Sequence, residues 1–555
     1  MKKLRAFAWA VLLVSVLASC GKKSNTQGRY IPEDAALAVV VNGKTLCEKL
    51  PWNEVKQNAL LNELLKDSTL GKEARMLLDD PEKTGIDIRN DMSFFLIKDS
   101  VNSYLCLSGK VKEEAAFRKT AEQLTGGPVP SGGNARTYVK KDRISIGWDK
   151  NEFILAAHVP EISKLNQQNL LNPDTTGIIP AKFTPVDNAQ SICRQLFELP
   201  EVASMAKSAK FSKLMEAPGD IHFWLNNEVM NRNNGLDAAA MLFNLDKLYE
   251  GSITTSALLF ENGSIRINNL GYSGADMTKI FKRYSGSTMS EDLVKSIPGK
   301  EVQGALAISY QPKALLEILK LFGLDGYLNI AMSKLGFKVD DFIKANKGDI
   351  LFAVSDLHNK IDTSVTALGE GSVTSITKAE GNYFFATTIG DKGAFNKMSD
   401  ALKKMLSSGL GGMDQGLVTG SNEKVFVLTN NGANKENFLK GPVQSPDFLA
   451  SISGAPIGGY LNLHSVVNAM QPDANADSSD KALHALMLNM WDKVSLKGGG
   501  MDDDAMTQEL VVTLMNKQEN SLKQLNRFSS EFSKIKKEQD KKREALYRSF
   551  ENMPD

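Results

Sequence analysis

One pattern of strands and helices runs through the first half of this chain and then runs again, in the same order, through the second. Ile31-Pro32 opens the first pass, with an apolar strand at Ala36 to Val41. Ile297-Pro298 opens the second, with a strand at Ala305 to Ser309. Each strand leads to a helical stretch introduced by proline. After Pro51 one helical face carries Trp52, Val55, Leu60, Leu61, Leu64 and Leu65; after Pro312 come Leu315, Leu316, Ile318, Leu319 and Leu321. A Gly-led turn then precedes a strand in both passes, Gly85 before Ser93 to Ile97 and Gly336 before Asp349 to Val354. Tyr104 to Leu107 precedes a helix containing Ala116-Phe117, and Tyr383 to Thr387 precedes one containing Ala394-Phe395. Phe223-Trp224-Leu225-Asn226 matches Gly459-Tyr460-Leu461-Asn462, and each pass ends on a hairpin. Fixed order at matching offsets is the signature of internal duplication. The expected fold is therefore α+β, in two similar halves over residues 31–285 and 286–520, each a mostly antiparallel sheet packed with helices.

Two features fall outside the repeat. Residues 166–188 are polar with Pro173 and Pro180, and read as a linker. Residues 521–555 read as a charged C-terminal helix in which Leu522, Leu525, Phe528, Phe532 and Ile535 step by three or four. The Lys534 to Arg548 stretch interleaves basic residues with Glu538, Asp540 and Glu544, which favours a solvated, self-paired helix over a headgroup-binding tail. Over the whole chain 66 basic residues face 65 acidic ones, so no field draws nucleic acid.

The amino-terminal stretch fixes location. Lys2, Lys3 and Arg5 precede an apolar run from Ala8, and Leu17-Ala18-Ser19-Cys20 closes it. The run is shorter than the ~18 residues a membrane span needs, so residues 1–19 read as a signal peptide. Leu17 to Cys20 resembles the lipobox of bacterial lipoproteins. That resemblance implies that Cys20 becomes the first mature residue and carries acyl chains such as palmitate on its sulfur and its amino terminus. One acyl chain binds a bilayer only reversibly at about 0.8 kcal/mol per methylene, whereas the several chains of a lipoprotein make loss to water negligible. Residues 20–30 are polar and read as a flexible tether.

Searching for chemistry gives little. Ser204-Met205-Ala206-Lys207 fits SxxK and Lys83-Thr84-Gly85 fits KTG, but their order is the reverse of that in penicillin-interacting enzymes, so both read as coincidence. No nucleophile elbow, phosphate loop or HExxH motif occurs. Cys47, Cys106 and Cys193 form no CxxC pair; they read as small buried hydrophobes, with one disulfide as the alternative. Asp473, Asn475, Asp477 and Asp480 resemble the first half of a calcium loop. However, Ser478 stands where the turn needs Gly, and His484 where a bidentate Glu would close the site, so a solvated loop is expected. The sequence supports no catalytic residue, cofactor or metal site.

The lipobox, the opening Ile31-Pro32-Glu33-Asp34-Ala35, the turns at Gly85 and Gly336 and the Trp224-Leu225-Asn226 strand together resemble cell-envelope lipoproteins of Bacteroidota built on a domain of unknown function. The resemblance imports no catalytic residues. It implies an envelope location, and Gly21-Lys22-Lys23-Ser24 lacks the acidic run that marks surface export, so the periplasmic face of the outer membrane is expected. The expected role is a non-catalytic binding or assembly module, held to the membrane through Cys20 and contacting an envelope protein or glycan. The alternative is an envelope-polymer hydrolase whose carboxylates no local motif reveals. Cys20→Ser should move the processed protein from the membrane pellet to the soluble fraction; retention in the pellet, with unprocessed leader excluded, would overturn the anchor.

Overall fold

Strands of this chain alternate side chains between a dry face and a second face, and antiparallel pairing joins them into sheet. The computed structural model describes residues 26–66, 75, 78, 80–98, 103–129, 136–141, 144–159, 189–231, 244–362, 376–407, 416–443, 445–472 and 476–551. Cys20, the leader, the 166–188 linker, Asp473 and Asn475 lie outside the described residues. The fold is mixed α and β with antiparallel pairing throughout and a long C-terminal helix. Two compact units divide it: residues 1–44 with 80–230, and residues 45–79 with 231–555.

The first unit holds strands β1 (Leu37–Val41), β2 (Met92–Lys98), β3 (Ser103–Lys110), β4 (Thr137–Lys141), β5 (Ile144–Trp148), β6 (Glu152–Val159) and β7 (Ile221–Asn226). Their pairing gives the spatial order β7-β1-β2-β3-β6-β5-β4. One row of paired residues crosses this sheet: Trp224, Ala38, Phe95, Cys106, Ala156 and Ser145. All six are buried. A row of this kind fixes register, because a slip by one residue would turn each of them to the other face. On that other face lies helix α1 (Glu114–Thr125), whose Phe117 packs on Phe153 and Trp148 with ring centroids 5.0 and 5.6 Å apart. Helices α2 (Ala189–Phe197) and α3 (Ala209–Glu216) complete the packing; Ser208 caps α3 by accepting from the Phe211 N–H, and Phe211 meets Trp224 edge-on.

The amino-terminal segment is held against this unit. Gln27 donates to Asp91 at 2.8 Å, Arg29 to the Leu199 carbonyl at 2.6 Å, and the Tyr30 hydroxyl to Glu152. Gln27, Arg29 and Tyr30 of the expected tether are thus anchored by their own side chains.

The second unit holds β8 (Ile253–Glu261), β9 (Ser264–Tyr272), β10 (Val302–Ser309), β11 (Asn346–Asp362), β12 (Ile376–Ile389), β13 (Val418–Ser421), β14 (Val425–Thr429), β15 (Ile457–Asn462), β16 (Trp491–Asp502) and β17 (Ala505–Leu514). Pairing gives β13-β14-β12-β11-β10-β15-β16-β17-β9-β8. One core packs Ala305, Ala307, Leu351, Ala353, Phe384, Ala386 and Val427 against Leu293, Val294, Phe438, Phe448 and Ile452 from flanking helices. Tyr460 lies flat on Phe448, with ring centroids 4.0 Å apart.

The helical stretch after Pro51 is two helices, Trp52–Val55 and Ala59–Lys66, rather than the single face expected. The break is at Asn58, whose Oδ1 accepts from the Leu60 and Leu61 N–H groups at 2.9 and 3.3 Å and so starts the second helix. Its Nδ2 donates to Asn526 Oδ1 and Ser529 Oγ, fastening that helix to the C-terminal helix Ser521–Glu551. Asn58→Ala removes the cap and leaves partners in the C-terminal helix unmet, so a loss of about 1–3 kcal/mol in denaturant unfolding is expected. Leu351→Ala, at a fully buried site, should cost about 2–5 kcal/mol by the same measurement.

Candidate functional site

The second face of the sheet in the second unit is as apolar as its core face. Register places Leu306, Phe352, Phe385 and Leu428 in one row, and Ile308, Ile350, Thr387 and Phe426 in the next. Cross-strand rows of this kind are the stabilising unit of a sheet, and they also make a continuous apolar floor.

Helices roof one part of that floor. They are α4 (Asp325–Lys334), α5 (Val339–Ala345) and α6 (Lys392–Ser407). Phe395 begins the roof by packing on Phe426 at 5.5 Å, and Met398 lies beside it. The α5–α6 junction is rigid: Gly390 N–H donates to the Ala345 carbonyl at 2.9 Å and Asp391 N–H to the Lys344 carbonyl at 2.7 Å. Asp391 Oδ1 then accepts from the Ala394 N–H at 2.8 Å at the start of α6. Asn329 of α4 accepts from the Val339 N–H at 3.1 Å, tying α4 to the start of α5.

Between roof and floor lies a cavity of about 350 Å³, lined among others by Phe342, Phe385, Phe395, Met398, Ala401 and Phe426. Its volume falls at the lower end of the range for small-ligand sites, about 300–1,000 Å³. Three of the four polar side chains that line it are engaged; the fourth is Ser399. Tyr310 Oη donates to Asn346 Oδ1 at 3.1 Å, Asn346 Nδ2 to the Phe342 carbonyl at 2.8 Å, and Thr387 Oγ1 to the Asp349 carbonyl at 2.9 Å. Burial pushes the Tyr310 phenol above its ordinary pKa, which keeps it a neutral donor.

A bulge in β11 between Asn346 and Ile350 turns Asn346 to this place. Gly348 makes the bulge, at φ +98°, and a Cβ there would stand 1.7 Å from the Tyr310 carbonyl oxygen. Beyond the roof the floor continues as an open basin of about 470 Å³, where Phe352 and Tyr383 are 48% and 45% exposed. Cavity and basin share Phe385.

The residues singled out from sequence do not converge here. Ser204 is buried and donates to the Glu201 carbonyl at 2.8 Å, while Lys207 pairs with Glu201 at 2.9 Å. Thr84 donates to the Pro81 carbonyl at 2.6 Å. His222, His358, His464 and His484 each have a ring nitrogen on a backbone carbonyl. Asp477 caps the Ser478–Met490 helix and pairs with Lys542. Its carboxyl is held far below the usual range by the Ser479 hydroxyl and N–H, then by Lys542. Cys106 and Cys193 are buried thiols; burial drives both upward, Cys193 to about 11. Among the described residues no three His, Cys, Asp or Glu side chains form a metal-holding group, and no helix is long and apolar enough to cross a membrane.

Fold and site together define a mixed α/β protein with an aromatic-walled cavity and no assembled catalytic group in that cavity. The chain belongs to the family described as a domain of unknown function, DUF4836, which matches residues 28–438. No curated protein matches it. Among solved structures, "Structure of crystal form III of TP0453" aligns at 10% identity with a TM-score of 0.25, covering 48% of this chain and 90% of that one. Crystal form IV aligns at 11% identity and a TM-score of 0.24, covering 47% and 87%.

Gly348→Ala should destabilise the protein by at least about 1–3 kcal/mol in thermal or denaturant unfolding, since both φ and space oppose a side chain. Lys397 donates to Asp341 at 3.1 Å across α6 and α5, and this bond, ahead of the Lys338 N–H, holds the Asp341 carboxyl below its usual value. A lowered carboxyl stabilises the fold above its unfolded pKa, and that contribution vanishes as pH falls through the native value. NMR titration of Lys397→Ala should return Asp341 upward toward an ordinary carboxylate.

Proposed function

We propose that this protein is a non-catalytic binding module of the cell envelope, lipid-anchored through Cys20 and facing the periplasm, and that it binds through the apolar cavity of its second unit. The observation that carries the binding part is the 350 Å³ cavity, in which Tyr310, Asn346 and Thr387 already hydrogen-bond to groups of the protein itself. A site for acid–base or nucleophilic chemistry would need titratable groups aimed inward, and this lining is aromatic and aliphatic. The anchor rests on the resemblance of Leu17 to Cys20 to a lipobox.

The protein is further proposed to be built by duplication, with repeats at 31–285 and 286–520. Support comes from matched detail. The row Trp224-Ala38-Phe95-Cys106 in the first sheet corresponds to Tyr460-Ala305-Ala353-Phe384 in the second. Phe95 beside Cys106 and Ala353 beside Phe384 exchange large and small residues across one pair of strands, conserving volume. Asn226 and Asn462, two residues past the aromatic, each accept from the N–H three residues on, at 3.1 and 2.9 Å. Phe117 on Phe153 matches Phe395 on Phe426, a helix aromatic on a strand aromatic in each case. The family match at 28–438 crosses the proposed repeat boundary and takes in residues 286–438 of the second repeat.

The test is a mass-spectrometric inventory of what co-purifies with the full chain from gently extracted envelopes. A stoichiometric companion present with the natural chain and depleted with Ala401→Phe is expected. Recovery of no companion, or of one that Ala401→Phe leaves in place, would count against the reading. One observation keeps the hydrolase alternative in view: Asp91 and Glu152 both line a recess of about 100 Å³ in the first unit. Glu152 is engaged there by Lys110 and Tyr30, and Asp91 by Gln27. Loss of an envelope-polymer cleavage activity in Glu152→Gln would favour that alternative.

A further inference from the structure

We infer that the cavity of the second unit takes the hydrocarbon chain of a lipid, entering from the open basin and ending against Phe395 and Phe426; this rests on the binding reading above and names its ligand. The first argument is chemical. Tyr310, Asn346 and Thr387 spend hydrogen bonds within the protein and leave Ser399 as the one other polar side chain of the lining, so an occupant rich in polar atoms would find them poorly met. A hydrocarbon loses nothing there.

The second argument is shape. A roofed, partly open cavity of 350 Å³ and a more open basin of 470 Å³ meet at Phe385 along one apolar floor. A compact ring system would fill the roofed part and leave the basin bare, with Phe352 and Tyr383 still exposed. A flexible chain covers both and leaves its polar end outside. Met332 and Met398 in the lining add unbranched, adaptable side chains that re-pack around such an occupant.

The third argument is the comparison of the two units. At the matching place in the first unit, Trp148 lies opposite Phe153, buried, and in contact with Phe117. In the second unit the residue opposite Phe426 is Ser421. An indole fills the first site and a hydroxymethyl stands in the second, where the structure also adds the roof helices α4 and α5. Helix α4 carries Tyr327 and Ile330 at 57% and 64% exposure beside this roof, an apolar outer surface suited to a lipid interface.

The experiment uses the full chain carrying Cys20→Ser, so that none of its own acyl groups competes. Dansylaminoundecanoic acid serves as the fluorescent probe. Saturable enhancement is expected, with displacement by saturated fatty acids that strengthens by about fourfold per added methylene until the strip is full. Ala401→Phe and Met398→Trp, both directed into the cavity, should weaken binding by at least about tenfold with unfolding midpoints retained. Displacement by free palmitate assigns the source to free fatty acid; displacement by phosphatidylethanolamine vesicles alone assigns it to bilayer lipid. Should the variants fail to fold, the chain-length series on the natural cavity decides by itself. Flat chain-length dependence, or probe binding that both folded variants leave unchanged, overturns the inference. Anilinonaphthalenesulfonate bound in a way that Ala401→Phe abolishes, without displacement by any fatty acid, would overturn the acyl chain while leaving the binding module standing. Absence of both signals would remove both.

Discussion

The alternation of side chains across β10, β11, β12 and β14 is the constraint on which the second unit depends. Leu351, Ala353, Phe384 and Ala386 point one way and are dry; Ile350, Phe352, Phe385 and Thr387 point the other. Because both sets are largely apolar, the sheet must be covered twice. The flanking helices that bring Leu293, Phe438 and Ile452 close the first face completely. Helices α5 and α6 close the second face only in part, because their junction is pinned by backbone hydrogen bonds from Gly390 and Asp391. The gap that remains is the cavity. A sheet with one polar face would have needed no roof and would hold no cavity.

A hydrophobic core of this size would tolerate filling, and natural cores pack near crystal density. A partly open, aromatic-lined cavity of about 350 Å³ is therefore a departure that leaves apolar surface uncovered. The first unit shows the filled solution to a similar local problem, with Phe117, Trp148 and Phe153 in mutual contact. That contrast is what gives the void in the second unit its meaning. The proposed binding of an apolar chain would need no titratable pair, no glycine loop and no metal ligand, only the absence of volume at one place.

Much of the element order was legible in the residues. The hairpin around Asp149 to Asn151 could be read because Asp149 is a turn former, and its Oδ1 does accept from the Asn151 and Glu152 N–H groups. The helices at 114–125 and 392–407 could be read from their apolar spacing. The break at Asn58 was not legible, because Asn within an amphipathic run reads as a tolerated polar residue until its partners Asn526 and Ser529 arrive from the other end of the chain. Nor was the turn after Gly336 legible as the start of a helix: Asp341 accepts from the Lys338 N–H and creates a cap that Phe337-Lys338-Val339 alone does not announce.

The sequence by itself determined the periodicities that mark most of the strands and helices. Those are local consequences of where apolar side chains fall along the chain, and periods of two and of 3.6 residues can be counted without a fold. Only the tertiary structure decided that Phe385, Phe395 and Phe426 surround an empty volume while Phe117, Trp148 and Phe153 do not. A cavity belongs to no segment. It is the difference between the space that several elements enclose and the volume that their side chains fill, and that difference exists only once β11, β12, β14, α5 and α6 are set against one another.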